Sequence, residues 1–467
     1  MENVYQVNSN RISECSVHKG VFKMDNYDVI VVGAGTGGCL TAKTTAKAGL
    51  NTLLIDLKKK QDIGLKVCGD AVGKHHFDHL GLKPPSGAEL ERIMEGVRIF
   101  SPDNQTIFDV RGEGLSGFLL NRHAFGQRLL RDAVDAGAVL WDSTQVLEPI
   151  VEKGYVKGIK AKNVKIGNSE LTAKVVVEAS GFPAILRKKL PENLGIDAEV
   201  ESRDVEACYR EIRELKQPLE DPELCQIYLT QEITPGGYYW IFPKAGNRVN
   251  VGLGVAMTKG FPNPKNILYR HILPKPIFKD SKIVEGGAWC VPTRRPLDNM
   301  VGNGIVIVGD AACQVNPIHG GGIGPSMKGG TIAGKTIIDA IEKDDVSREG
   351  LWAYNFNYME VYGLKQAGLD VFRKFLQASD DDELNYGMAE KLITEEDLLQ
   401  TSLGQEVKLN ISEKAIRVFR GMRKIGFLRK LRYTVKSIKT VREWYRNYPT
   451  SLGGFDEWKR RTDALFE

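Results

Sequence analysis

A chain of 467 residues is too long for one ordinary domain and comfortable for two interleaved ones, and 42% hydrophobic with 26% charged residues is globular composition, which excludes a disordered polymer. No uninterrupted apolar run reaches the roughly 18 residues of a membrane-crossing helix, and seven scattered cysteines without a C-x-x-C pair argue against zinc, an iron–sulfur cluster or a disulfide framework. The net charge of +5 is uneven: residues 413–446 carry twelve Lys or Arg against two Glu, so the rest of the chain is net acidic and a general nucleic-acid-binding role is excluded.

Residues 1–23 lack the apolar core and small-residue cleavage site of a secretion signal, so a cytoplasmic protein is expected; with Met24 immediately before the first strand, they read as an extension outside the fold or as the product of a start codon placed too early. Val29-Ile30-Val31-Val32 then reads as a strand buried on both faces of a parallel sheet. It runs into Gly33-Ala34-Gly35-Thr36-Gly37-Gly38, a helix to Ala48, and a second strand, Thr52 to Asp56. The glycines act separately, since Gly33 makes the turn, Gly35 lets a pyrophosphate approach the backbone, and Gly38 lets helix and strand pack closely. The negative pyrophosphate belongs at the positive end of the helix. Asp56, about 20 residues on, is placed to accept ribose hydroxyls. Strand, triplet, helix, strand and acid in that order predict a dinucleotide-binding βαβ unit.

Further along, Asn121-Arg122-His123-Ala124-Phe125 opens a helix predicted to run through Arg128 to Ala136. Glu178-Ala179-Ser180-Gly181 ends another apolar strand. Residues 199–292 are richer in aromatics and strand-formers, which predicts an antiparallel sheet. Within it, strand alternation puts Tyr238, Trp240 and Phe242 of Tyr238-Tyr239-Trp240-Ile241-Phe242-Pro243 on one face, able to line an elongated apolar tunnel. Arg294 and Arg295 are read as ordinary surface pairing rather than ligands of a substrate phosphate. Residues 304–310 are a buried strand ending in Gly309-Asp310, followed by a glycine-rich turn through Gly324 and a small-residue helix over 325–338. In the tail, 415–445 alternates cations with apolar residues at helical spacing. The helix is expected to cap the catalytic domain through its apolar stripe while its cations attract lipid head groups.

Two resemblances rest on these motifs. The stretch 304–324 resembles the second FAD motif of the para-hydroxybenzoate hydroxylase superfamily. There the acid, here Asp310, binds the ribityl chain, and the turn through Gly322 and Ile323 aims a helix N-terminus at the flavin. That likeness implies FAD rather than NAD, with Arg122 and then Arg128 on its phosphates, and the Val146 backbone on adenine. Tyr238 to Pro243, followed by Gly252-Leu253-Gly254, is similar to the Y-x-W-x-F-P…G-x-G motif of the geranylgeranyl reductase family. Lys66-Val67-Cys68-Gly69-Asp70-Ala71 is a second hallmark, with Val67 where Pro often stands. The likeness runs from Tyr27 to the C-terminus and looks strongest to the archaeal, Sulfolobus-type members.

Membership implies an α/β (α+β mixed) fold. A Rossmann-like FAD-binding domain over 24–198 and 293–345 is interleaved with an antiparallel-sheet substrate domain over 199–292, and a helical region follows over 346–467. It also implies a flavoprotein, acting as a monomer, that saturates the double bonds of geranylgeranyl chains on archaeal ether lipids, peripherally at the inner face of the membrane. Hydride comes from reduced FAD and a proton goes to the other carbon, in a pocket that excludes water. Cys68 is the candidate catalytic thiol, and Cys68 and Gly69 border the flavin. Tyr238, Trp240, Phe242 and Pro243 are the candidate substrate residues. With a single dinucleotide unit, electrons come from docked NAD(P)H, ferredoxin or another carrier. The alternatives on this fold are a monooxygenase and a reductase of a prenylated quinone. The C-terminal iron–sulfur cysteines of electron-transfer flavoproteins are missing, since no cysteine follows Cys313.

Overall fold

The computed structural model describes residues 16–18, 21–112, 114–258, 260, 262–402, 417 and 420–466. Its first half is the expected alternation: β1 (Val21–Val32), α1 (Thr36–Lys47), β2 (Thr52–Ile55), α2 (Arg122–Asp135) and β3 (Gly167–Glu178). β1 lies between β3 and β2, parallel to both, in a nine-stranded sheet. Val29, Ile30 and Val31 are wholly buried, as a strand covered on both faces requires. β1 begins at Val21 rather than Met24, because β3 extends back to Gly167 and offers backbone partners to Phe22, Lys23 and Met24. Ser16–His18 pairs antiparallel with the same strand. The extension expected over 1–23 is thus partly sheet, and residues 1–15 lie outside the described residues.

The second sheet is built from β4 (Glu206–Glu214), β5 (Tyr238–Pro243), β6 (Arg248–Ala256) and β7 (Lys282–Val291), with β7 at one edge beside β4, then β6, then β5. It continues through Leu224–Leu229 into Gly96–Phe100 and Ile107–Arg111. The sheet expected from 199–292 alone therefore takes two strands from an earlier part of the chain. It is also not purely antiparallel, since Leu224–Leu229 and Gly96–Phe100 run parallel.

The chain then returns to the first sheet through β8 (Ile305–Ile307), parallel to β3, and enters α3 (Ile323–Glu342), which packs on α1. The helical region includes α4 (Leu364–Gln377), α5 (Ile425–Tyr445) and α6 (Phe455–Phe466). The apolar stripe of α5 is a cap: Phe427 and Leu431 cluster with Phe375 and Leu392, while Val441 and Tyr445 join the main core. Residues 415, 416, 418 and 419 of the expected amphipathic stretch lie outside the described residues. Arg294 and Arg295 are not at the surface, each being 8% exposed; Arg294 Nε donates to the Arg295 carbonyl at 3.0 Å, and α5 and α6 cover Arg295. Arg295 reaches Asp298 at 3.0 Å, donates to the Tyr445 hydroxyl at 3.1 Å, and stacks 4.2 Å from the Phe466 ring centre.

Candidate functional site

The two glycine-bearing junctions meet at one cavity of about 400 Å³. At the first, Gly33 has φ +105°, and a Cβ there would lie 2.3 Å from the Ala179 carbonyl oxygen. A Cβ on Gly38 would lie 1.9 Å from the Gly33 carbonyl oxygen. These two glycines hold turn, strand and helix together. Gly35 differs: the nearest atom to its Cβ position is Lys66 Nζ at 4.0 Å, so its backbone faces open cavity. Gly35 and Gly38 line the cavity and Gly33 lies behind them.

A smaller hollow of about 40 Å³ continues from Gly35 and is bordered by Asp56, Lys58 and Gly126. Asp56 accepts from the Ala34 and Lys58 backbone N–H groups, each at 2.8 Å, which fixes its carboxylate at the end of β2. Asn121 accepts from the Ala124 N–H at 3.0 Å and so starts α2 with Arg122 in its first turn. Arg122 borders both hollows, and its Nε and Nη1 are buried without a hydrogen-bond partner among the described residues. Buried guanidinium donors left open are costly unless an anion completes them. Such donors between two glycine-lined hollows fit the pyrophosphate of FAD. Arg128, by contrast, borders neither hollow; it pairs with Glu89 at 3.0 Å and donates to the Lys83 carbonyl at 2.9 Å. Val146 lines neither hollow; it lies two residues from Thr144, whose N–H bonds to the Asp56 carbonyl.

Replacing Arg122 with leucine is expected to weaken FAD binding about tenfold, the worth of one charge-assisted hydrogen bond. Titration of FAD-stripped protein by flavin fluorescence measures this, and unchanged affinity would place the phosphates elsewhere.

At the second junction, Gly309 (φ +73°) donates to Gln314 Oε1 at 2.8 Å, turning the chain so that Asp310 borders the cavity. A Cβ on Gly322 would sit 3.1 Å from Asp310 Oδ1. Gly322 and Ile323 also border the cavity, so α3 presents its N-terminal end there, where partial positive charge favours an anionic ring.

Tyr238, Trp240 and Phe242 all line the same cavity, with Cys68 and Gly69 from the loop after β2. Pro243 does not line it, because alternation places it on the other face of β5 with Tyr239 and Ile241. The G-x-G element has a steric reason. A Cβ on Gly252 would lie 2.5 Å from Trp240 Cζ2, and one on Gly254 would lie 2.7 Å from Glu206 Oε2.

Beneath the Cys68 loop is a buried polar chain that single-motif reading did not find. Trp240 Nε1 donates to Asn250 Oδ1 at 2.9 Å, and Asn250 Nδ2 donates to the Cys68 carbonyl at 2.7 Å and Asp70 Oδ2 at 3.0 Å. Lys244 Nζ reaches Asp70 Oδ2 at 2.9 Å. Asp70 has φ +68°, and its N–H donates to Cys68 Sγ at 3.3 Å. The network thus ties the loop conformation to the aromatic strand. Also missed were cavity-lining residues of the helical region, including Tyr362 and Lys365, and the histidines facing them. Tyr362 hydroxyl and His76 Nδ1 are 2.8 Å apart. Burial pushes His75 down to about 4 and Lys365 down to about 8, so the His75 imidazole is neutral at neutral pH.

The sequence matches two family models: one described as geranylgeranyl reductase catalytic domain, over residues 204–291, and one described as glucose inhibited division protein A, over residues 28–212. It is 44% identical over 444 residues to the digeranylgeranylglycerophospholipid reductase of Sulfolobus acidocaldarius, covering 94% of this chain and 97% of that protein. The protein of that name from Methanothrix thermoacetophila is 36% identical, over 76% of this chain and 89% of its own. A solved structure of a geranylgeranyl bacteriochlorophyll reductase-like protein from Thermoplasma acidophilum is similar with a TM-score of 0.74 at 25% identity, covering 90% of this chain and all of that one. Near-complete coverage by the Sulfolobus relative, together with a cavity that joins an FAD cradle to the aromatic strand, shows that this chain belongs to the geranylgeranyl reductase family.

Proposed function

We propose that the protein is an FAD-dependent reductase that saturates the carbon–carbon double bonds of geranylgeranyl chains carried on archaeal ether phospholipids. The observation that carries this reading is continuity: Trp240 and Phe242 border the same cavity as Gly35, Asp310 and Ile323. Bound and reduced, FAD supplies the hydride. The residues of the chain do the rest. Asn250 satisfies the indole N–H, so Trp240 offers hydrocarbon only its apolar ring. Met94 and Cys225 cluster with Trp240 and Phe242 on the cavity wall and extend its apolar side, where hydrocarbon displaces water. Cys68, held by the Asp70 N–H, is a reactive-wall thiol. If Cys68→Ala kept the full rate with FAD bound, a donor role for that thiol would be lost.

Access for a lipid is supported at β7, an edge strand. Trp289 borders the cavity and is also 42% exposed, and the far end of the same strand exposes Ile283 and Val284 beside Lys282. Exposed Tyr433 and Val435 lie among the cations of α5. No helix among the described residues is long and apolar enough to cross a membrane, so contact is peripheral in this reading. Electrons arrive from NAD(P)H, ferredoxin or another carrier.

The test is mass spectrometry of a geranylgeranyl ether phospholipid incubated in vesicles with chemically reduced holoenzyme. The expected product has gained hydrogen at its double bonds. Recovery of unchanged lipid, or of lipid that has gained oxygen, would overturn the proposal.

A further inference from the structure

Saturating an isolated alkene needs a proton as well as a hydride, and the cavity wall must hold an acid close to the reacting carbon. Along β4, residues 206, 208 and 210 point to one face, and Glu206, Cys208 and Arg210 all line the cavity. Glu206 is 6% exposed. Its carboxyl lies over Gly254, the last glycine of the G-x-G element, where a side chain would strike Glu206 Oε2 at 2.7 Å and Cys208 Sγ at 3.4 Å. Only glycine there leaves room for that carboxyl. Glu206 also pairs across the sheet with Val291, whose side chain borders Gly320 of the glycine turn that fits the cofactor. Tyr238, which donates to the His319 carbonyl in the same turn, feels the Glu206 charge directly.

We propose that Glu206 is the acid that protonates the isoprenoid double bond. The proposal rests on the reductase reading above. In the step, the Glu206 O–H bond breaks and the alkene π pair forms the new C–H bond. The other carbon takes hydride, with its electron pair, from the reduced cofactor, and solvent later restores the proton to the carboxylate. No further oxidant or reductant is required.

The surroundings keep this proton available. Burial pushes the Glu206 carboxyl up to about 7, opposed only by Arg373. Arg373 is itself held by Asp204 at 2.6 Å and Asp370 at 2.7 Å, so its charge is largely answered before it reaches Glu206. Arg210, four residues on along β4, is engaged by Glu285 at 2.6 Å. The other titratable neighbours are Cys208 and Tyr238, with Cys68 and Cys290 beyond them beside Cys208. Burial raises Cys208 and Tyr238 far above their ordinary values, and Cys290 upward, so those protons are held more firmly than that of the carboxyl. Because the carboxyl is protonated below about 7, donor capacity is complete at lower pH and is lost as pH rises through that value.

Two readouts test this on the holoenzyme. Infrared spectra of the parent should show a protonated-carboxyl band that fades as pH rises through about 7 and is missing in Glu206→Gln. Single-turnover saturation of a geranylgeranyl lipid by the reduced enzyme should fall on the order of a hundredfold or more in Glu206→Gln, with the alkaline limb of the pH profile abolished. Glu206→Asp should keep that limb at a reduced rate. A Glu206→Gln enzyme that matches the parent in rate and profile overturns the proposal, as does a band that persists in that variant. If Glu206→Gln loses FAD, the parent band and Glu206→Asp decide the question. A parent that binds FAD and shows the band yet never saturates the lipid sinks the reductase reading instead.

Discussion

Lys244→Met should destabilise the holoprotein by about 3–5 kcal/mol, the cost of leaving one half of a buried ion pair behind. Methionine keeps the length and most of the volume of the lysine stem, so the loss reports the ammonium rather than a cavity. Lys244 and Asp70 have side chains only 5% and 3% exposed, and Lys244 also donates to the Leu120 carbonyl at 3.0 Å. Without it, Asp70 remains in a left-handed backbone conformation with a carboxylate still accepting from Asn250 but no counter-ion at 2.9 Å. Urea unfolding of FAD-saturated protein measures the loss. The double variant Lys244→Met with Asp70→Asn should recover a substantial part of it, because both charges are then gone. A single variant as stable as the parent would show that the pair does not hold the Cys68 loop.

Gly38→Val should leave purified protein nearly colourless, with FAD affinity reduced on the order of a hundredfold or more. The first added carbon would already stand 1.9 Å from the Gly33 carbonyl oxygen and 3.3 Å from Ala179 Cβ. Neither neighbour can yield alone, since Gly33 donates its N–H to the Ile55 carbonyl and Ala179 its N–H to the Val32 carbonyl. The strain therefore falls on the turn that presents Gly35. Gly35→Ala is an informative contrast: its Cβ has no protein atom closer than 4.0 Å, so the fold should persist while the pyrophosphate meets a methyl group. Flavin absorbance per protein separates the two, and a yellow Gly38→Val protein would contradict the role given to that turn.

What could be read from the chain was whatever is written locally. The βαβ unit appears where strand period, glycine spacing and acid predicted it, because all of its parts lie within Val29 to Asp56. The face shared by Tyr238, Trp240 and Phe242 follows from alternation, which is equally why Pro243 turns away from the cavity. Long-range relations were not legible. Asp70 and Lys244 are 174 residues apart and Tyr362 and His76 are 286 apart, and neither pair leaves a spacing signal. The parallel pairing of Gly96–Phe100 with Leu224–Leu229 is likewise a tertiary choice. Arg294 and Arg295 looked like surface charges because nothing near them in sequence reveals their burial, which for Arg295 comes from helices at the far end of the chain. Glu206 had no motif of its own; the one clue was the last glycine of G-x-G, whose missing side chain leaves space for a carboxyl.

The account stands on one flavin whose reactive edge opens into the aromatic-lined cavity. Anaerobic stopped-flow spectroscopy of reduced holoenzyme mixed with a geranylgeranyl ether lipid tests that placement most directly. The expected result is flavin reoxidation without oxygen, at the rate at which saturated chain appears and with one flavin oxidised per double bond lost. Flavin that stays reduced until oxygen is admitted, with the lipid unchanged or hydroxylated, would contradict it.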